Sequence, residues 1–166
     1  MAELTALESK LGEVLGLAMA AQEATAKVGK LVEEEGEHDD LRATLQRMAK
    51  EAKETEERTT DLASELEGKK TAILEKARET KQEATEMMST YLGDDADALD
   101  GFEFLTMAEA GEVGHWEVLQ QMSGGAGRSD VQELVAWALP IQQRHLEGAR
   151  AGSKTLAAAE DPNETA

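Results

Sequence analysis

The chain has 166 residues, 40% of them hydrophobic and none of them cysteine, which suffices for one domain around one continuous core and leaves no room for a second. Its 35 acidic against 17 basic side chains give a formal charge of −18, so phosphate backbones and anionic lipid surfaces are repelled, and neither nucleic acid nor a membrane is an expected partner. The missing cysteine excludes disulfides, thiolate metal sites, iron–sulfur clusters and nucleophilic thiols, and a cytoplasmic location is expected.

Aromatic residues make up only 3%, and β-branched residues are sparse beside abundant Ala, Leu, Glu, Gln and Lys, so the composition predicts an all-α protein. No segment approaches the roughly 18 consecutive apolar residues of a membrane span. The start, Met1-Ala-Glu-Leu4, lacks the basic then apolar character of a signal peptide. The acidic excess favours cations, and it equally serves to keep a small bundle in solution.

Leu4, Leu7, Leu11, Val14, Ala18, Ala21, Thr25, Val28 and Val32 recur at steps of three and four, which predicts a long first amphipathic helix ended by Gly36. Gly12, Gly16 and Gly29 interrupt it, each at a cost of roughly 1 kcal/mol relative to Ala. Close approach of a neighbouring backbone would compensate. A second helix is predicted from His38–Asp40, with a stripe through Leu41, Leu45, Met48, Ala52, Thr55, Thr59, Leu62 and Leu66, closed by Gly68. The short connection makes the first two helices an antiparallel hairpin.

Lys69 to Leu92 reads as a crossover carrying its own helix, with a weaker stripe of Leu74, Ala77, Ala84, Met88 and Tyr91. The acidic turn Gly93-Asp-Asp-Ala-Asp97 resets the direction for a third core helix from about Ala98 to Met122, ended by Ser123-Gly-Gly-Ala-Gly127. Ser129-Asp-Val-Gln132 has the form of a capping box for a fourth core helix through Val131, Leu134, Val135, Ala138, Ile141, His145 and Ala149. Pro140 inside it removes one backbone bond and is expected to bend it. A disordered tail, residues 161–166, is expected to follow.

The inward stripe of the third core helix runs Phe102, Leu105, Glu109, Glu112, Trp116, Leu119, which puts two carboxylates at core positions. Buried carboxylates are costly unless paired, hydrogen-bonded or metal-bound, so two of them one turn apart call for a positive partner. His145 lies on the inward stripe of the fourth helix, and Gln142 faces the same sector. His115, three residues after Glu112, has the Glu-x-x-His spacing that sets two ligands side by side. The candidate metal ligands are therefore Glu109, Glu112, His145, Gln142 and His115. A hydrogen-bonded core Glu–His pair accounts for the same residues without a metal.

At these residues the chain resembles the ferritin-like superfamily, and in particular the small bacterial stress-associated ferritin-like proteins of undefined function. The resemblance rests on the helical hairpin, the crossover with its extra helix, Glu109-Ala-Gly-Glu112 on the third helix, and a fourth helix after a Gly-rich turn. It implies a ferritin-like four-helix bundle with a long crossover carrying an additional helix, a single domain over residues 1–160. Complete di-iron sites of that superfamily take a Glu from each of two helices and a Glu-x-x-His pair from each of the other two.

This chain departs from that set. The first helix offers Thr25 inward, with Gln22 nearby and Glu23 turned away. The second offers Ala52 and Thr55, flanked by Glu51 and Glu54, with Lys53 near the family's histidine position. The fourth reads Gln142-x-x-His145, an amide in place of a carboxylate. So thin a shell argues against oxygen activation at two irons and leaves a single metal, for which oxygen and imidazole ligands suit Fe, Mn or Zn without selecting among them.

The resemblance thus implies a metal-binding, stress-related protein with no assigned reaction. The alternative is a structural or interaction bundle that has lost its metal and works through its surface or a homodimer interface. A hydrolase using the same carboxylates is the weakest reading, because no phosphate loop, nucleophile elbow or His-Glu-x-x-His motif is present.

Overall fold

A computed structural model describes residues 2–165, and among them every regular element is α-helical: α1 (Ala6–Glu35), α2 (Asp39–Glu65), α3 (Lys70–Tyr91), α4 (Ala98–Gly125) and α5 (Ser129–Ala157). No described helix is long and apolar enough to cross a membrane. Side-chain caps close the starts of α1 and α4. Thr5 and Glu8 form a reciprocal capping box on α1, and Asp97 and Asp100 do the same on α4. At the far end of α1, Gly36 takes a φ of 114°, a backbone conformation that side chains resist.

α5 departs from its predicted start. Its N-cap is Arg128, which makes no side-chain cap bond, so the expected Ser129–Gln132 capping box does not form. The Asp130 carboxylate instead accepts from the Val131 N–H and from Arg128, and the Gln132 amide donates to the Ser123 carbonyl. The same carbonyl accepts from the Arg128 N–H, so the Gly-rich turn takes up the Gln132 side chain that the capping box would have used. α5 runs unbroken through Pro140.

α1 packs on α2, α4 and α3, α4 packs on α5, and α5 closes onto α2, so α1, α2, α5 and α4 form a ring of neighbours with α3 along the outside of α1. Contacts between the elements set the directions. Phe102 lies against Gly152 and Ser123 against Gln132, so α4 and α5 are antiparallel; Gly12 meets Ile73 and Gly16 meets Ala77, so α3 runs parallel to α1. α3 therefore carries the chain back along the length of the bundle.

The buried face of α3 is Ala72, Ile73, Ala77 and Thr80; of the predicted stripe, Ala77 is buried, Leu74, Ala84 and Met88 are half-buried, and Tyr91 is 59% exposed. The glycines of α1 explain the shift. A Cβ on Gly16 would stand 2.3 Å from the Ala77 carbonyl oxygen, and one on Gly12 would stand 2.8 Å from the Lys76 Cβ. Only this bare strip of α1 lets α3 settle so close, and it selects the α3 face with the smallest side chains.

Gly29 has nothing within 4 Å of its would-be Cβ, so close approach does not account for it. Gly29→Ala is expected to raise stability by about 0.5–1 kcal/mol, the cost of glycine in a helix interior, as read from the urea midpoint.

The core divides into two apolar halves. One gathers around Trp116 with Leu11, Leu15, Ile73, Leu119 and Val135; the other gathers around Phe102 with Val28, Val32, Leu45, Leu105 and Ala149. Glu109, Glu112, Gln142 and His145 are buried yet belong to neither half, so they form a polar layer at mid-height. Beyond α5 the chain leaves the helix in exposed turns, with the Asn163 N–H donating to the Asp161 carboxylate. Of the tail expected to be disordered, Ala166 lies outside the described residues.

Candidate metal centre

The polar layer arises because the α4 stripe places carboxylates where the 3–4 spacing continues inward. Phe102, Leu105, Glu109, Glu112, Trp116 and Leu119 are all buried, with Glu109 only 1% and Glu112 only 4% exposed. The antiparallel register of α4 and α5 then sets His145 opposite Glu109 and Gln142 opposite Glu112, and both α5 residues are buried as well.

His145 stands between two carboxylates. Its Nδ1 lies 3.7 Å from Oε2 of Glu109, and its Nε2 lies 3.4 Å from Oε1 of Glu51 on α2. Neither contact has hydrogen-bond geometry, and Glu109 Oε2, Glu51 Oε1 and His145 Nε2 are all buried without a hydrogen-bond partner. Both amide atoms of Gln142, Oε2 of Glu112 and the indole N–H of Trp116 share that condition. Such groups cost roughly 1–3 kcal/mol each when left unpaired, and every one of them lies in this layer or one turn from it.

Glu112 titrates far from a surface carboxyl. Burial pushes its pKa well above the ordinary 4.5, and the neighbouring Glu109 charge adds to the rise. No basic side chain offsets either effect.

Sequence periodicity puts Glu51 only on the flank of the inward pair Ala52 and Thr55 and does not mark it as a ligand. Both of those are buried, as expected, and their neighbour Glu51 turns inward beside them. The spacing held the clue: Glu51 follows the buried Met48 by three residues just as Ala52 follows it by four, so both lie on the edge of one stripe. Its other oxygen, Oε2, accepts from Nη2 of Arg144 at 3.0 Å at the α2–α5 surface.

His115 is not brought to the layer. It sits on the opposite flank of α4, with Nδ1 3.2 Å from Nζ of Lys10 and 3.4 Å from Glu13 on α1. Partial burial and the Lys10 charge hold its pKa below the ordinary histidine value, against the pull of Glu13. On α1, Thr25 is buried and donates to the Ala21 carbonyl. Glu23 faces α3, where Lys81 at 2.6 Å and Thr85 hold it, and Lys81 draws its pKa down. Gln22 donates to Glu56. The first helix thus brings no carboxylate to the layer.

Among the described residues, no three His, Asp or Glu side chains gather as a ready metal-ligand group. What the layer does present is one coordination edge. His145 Nε2 and Glu51 Oε1 are unpartnered and 3.4 Å apart, close to the ~3.4 Å edge of a tetrahedron with bonds of ~2.1 Å. Glu109 stands behind the ring on Nδ1, where a carboxylate orients a ligating histidine. No family model matches this chain, and neither a curated protein nor a solved structure matches it.

Proposed function

We propose that this chain is a ferritin-like helical bundle that holds one divalent metal ion, of the Fe, Mn or Zn type, at Nε2 of His145 and Oε1 of Glu51. The unpartnered edge between those two atoms, backed by Glu109, is the observation that carries the reading. The ring of four helices with a parallel crossover helix on its outer side supports the ferritin-like part. Gln142, one turn before His145, is the further oxygen donor within the layer.

The residues fit a single ion and not a pair, because Glu51 and Glu109 face opposite nitrogens of one ring and α1 adds no acid. A bound ion would supply a fixed positive charge against the buried carboxylates and a Lewis acid at mid-bundle. Reaching the layer from the α2–α5 surface is feasible because Glu51 is only partly buried, its side chain 17% exposed.

Elemental analysis of protein purified from media supplemented separately with Fe, Mn and Zn tests this. About one ion per chain is expected, falling to background in Glu51→Ala and His145→Ala and retained in Glu112→Gln. Loaded protein should also melt higher, by the linkage that any native-state ligand imposes. Protein that stays metal-free after reloading ends the proposal.

A second reading is favoured by Arg144. Its 3.0 Å bond to Glu51 makes Arg144, Glu51, His145 and Glu109 a continuous array of alternating groups, which is a structural tie between α2, α4 and α5 without metal. Under this reading Fe, Mn and Zn leave the melting temperature unchanged.

A further inference from the structure

A separate feature opens on the other side of α4. α3 and α4 barely touch, so a groove with a cavity volume of about 590 Å³ lies between them, floored by α1. Its depth comes from the small residues Ala20, Ala21 and Ala24 on α1, and its lips carry Met87 and Met107, which are 51% and 39% exposed. Methionine lips over an alanine floor make an adaptable apolar trough, and its volume falls in the ordinary range of small-molecule pockets.

The groove is not purely apolar. Glu109 and Glu112 line its inner wall, each more than nine-tenths buried and each with an oxygen lacking any hydrogen-bond partner. Glu13 and Glu83 also line it, whereas Lys76 is its one Lys or Arg, and that lysine lies 3.7 Å from Glu79. An apolar trough ending on unpaired carboxyl groups selects a molecule with the opposite arrangement. Fatty acids and other apolar anions would bring a third carboxylate against Glu109 and Glu112, and a neutral alkane would leave both unpartnered.

We propose that this groove binds an amphiphilic organic cation, in its simplest form a primary alkylammonium, whose head meets Glu112 and Glu109 while its tail lies on the alanine floor between the methionine lips. The cationic head favours the ionised carboxylates, so any proton that burial keeps on Glu112 in the empty groove passes to solvent on binding. The head then donates charge-assisted N–H bonds, the strong kind, to oxygens that have no hydrogen-bond partner in the protein. The tail replaces water over the apolar floor. This site lies across α4 from Glu51 and uses neither of the proposed metal ligands, Glu51 and His145, although its Glu109 is also the carboxylate that stands behind His145.

Isothermal titration of the full chain at pH 7 with n-octylammonium, n-octanol and octanoate, all below their micelle concentrations, tests the proposal. Octylammonium is expected to bind one per chain, about tenfold or more tighter than octanol, with octanoate weakest. Glu112→Gln should cut octylammonium affinity about tenfold and leave octanol unchanged. Ala20→Phe, which fills the floor without touching a carboxyl group, should weaken all three, with the helical circular dichroism signal retained. Octanoate binding as tightly as octylammonium, an unchanged octylammonium affinity in Glu112→Gln, or no binding of any of the three to folded protein would each overturn it.

Discussion

Glu112→Met is expected to make the protein more stable by about 1–3 kcal/mol at pH 8, against the usual direction for a core substitution, because it removes a buried polar group that has no partner and keeps most of its volume. The gain should depend on pH. In the unfolded chain the carboxyl ionises near the ordinary 4.5, whereas in the folded chain burial and Glu109 hold its pKa well above that. Between those two values the native state keeps a proton that the unfolded state has released, so the wild type loses stability as pH rises through that window.

Below 4.5 both states are protonated and the pH-dependent part of the cost is absent. Urea denaturation of wild type and variant side by side at pH 4 and pH 8, with chelator present, reads the difference. Comparison at matched pH cancels the acid loss from Glu8, Glu23 and Asp130, whose pKa values are lowered in the fold. A gain that is the same at both pH values, or a loss at pH 8, would mean that Glu112 has a partner in solution.

Gly16→Ala is the second large effect, and its sign opposes helix propensity. Alanine should strengthen α1 by up to about 1 kcal/mol, as predicted for Gly29. At Gly16, however, the new Cβ would stand 2.3 Å from the Ala77 carbonyl oxygen and 2.8 Å from the Thr80 Cβ. The first of these is backbone and has no rotamer to escape into, so α3 must move off α1. Overpacking of this kind costs about 1–3 kcal/mol, which outweighs the propensity gain.

The expected result is a lower urea midpoint for Gly16→Ala beside a higher one for Gly29→Ala, two identical substitutions in one helix with opposite signs. Because α3 forms a wall of the groove, Gly16→Ala should also weaken octylammonium binding. Equal stabilisation by both substitutions would show that α3 does not sit where the close contact places it.

The helices were legible because apolar periodicity is a local property. The stripe of α1, the Gly36 stop, the turn at 93–97 and the inward path of Glu109 and Glu112 on α4 all follow from side-chain spacing along one axis. The same logic placed Gln142 and His145 on the buried face of α5. It placed the face of α3 only in part, catching Ala77 but not Ala72, Ile73 and Thr80, because many charges flatten the periodicity of that helix. There the buried face was chosen by the bare glycine strip of a helix some 60 residues earlier, a preference that no window within α3 contains.

By itself, then, the sequence determined the all-helical class, the order and approximate ends of five helices, and which α4 and α5 side chains face inward, since each depends on backbone geometry repeating within a single element. The tertiary structure alone decided that Glu51 joins His145, that His115 turns away to Lys10 and Glu13, and that α3 stands off α4 to leave a groove. Those outcomes depend on how far one helix is rotated and shifted against another. A change of a few ångströms in that packing exchanges a flanking glutamate for a buried one without altering any spacing along the chain.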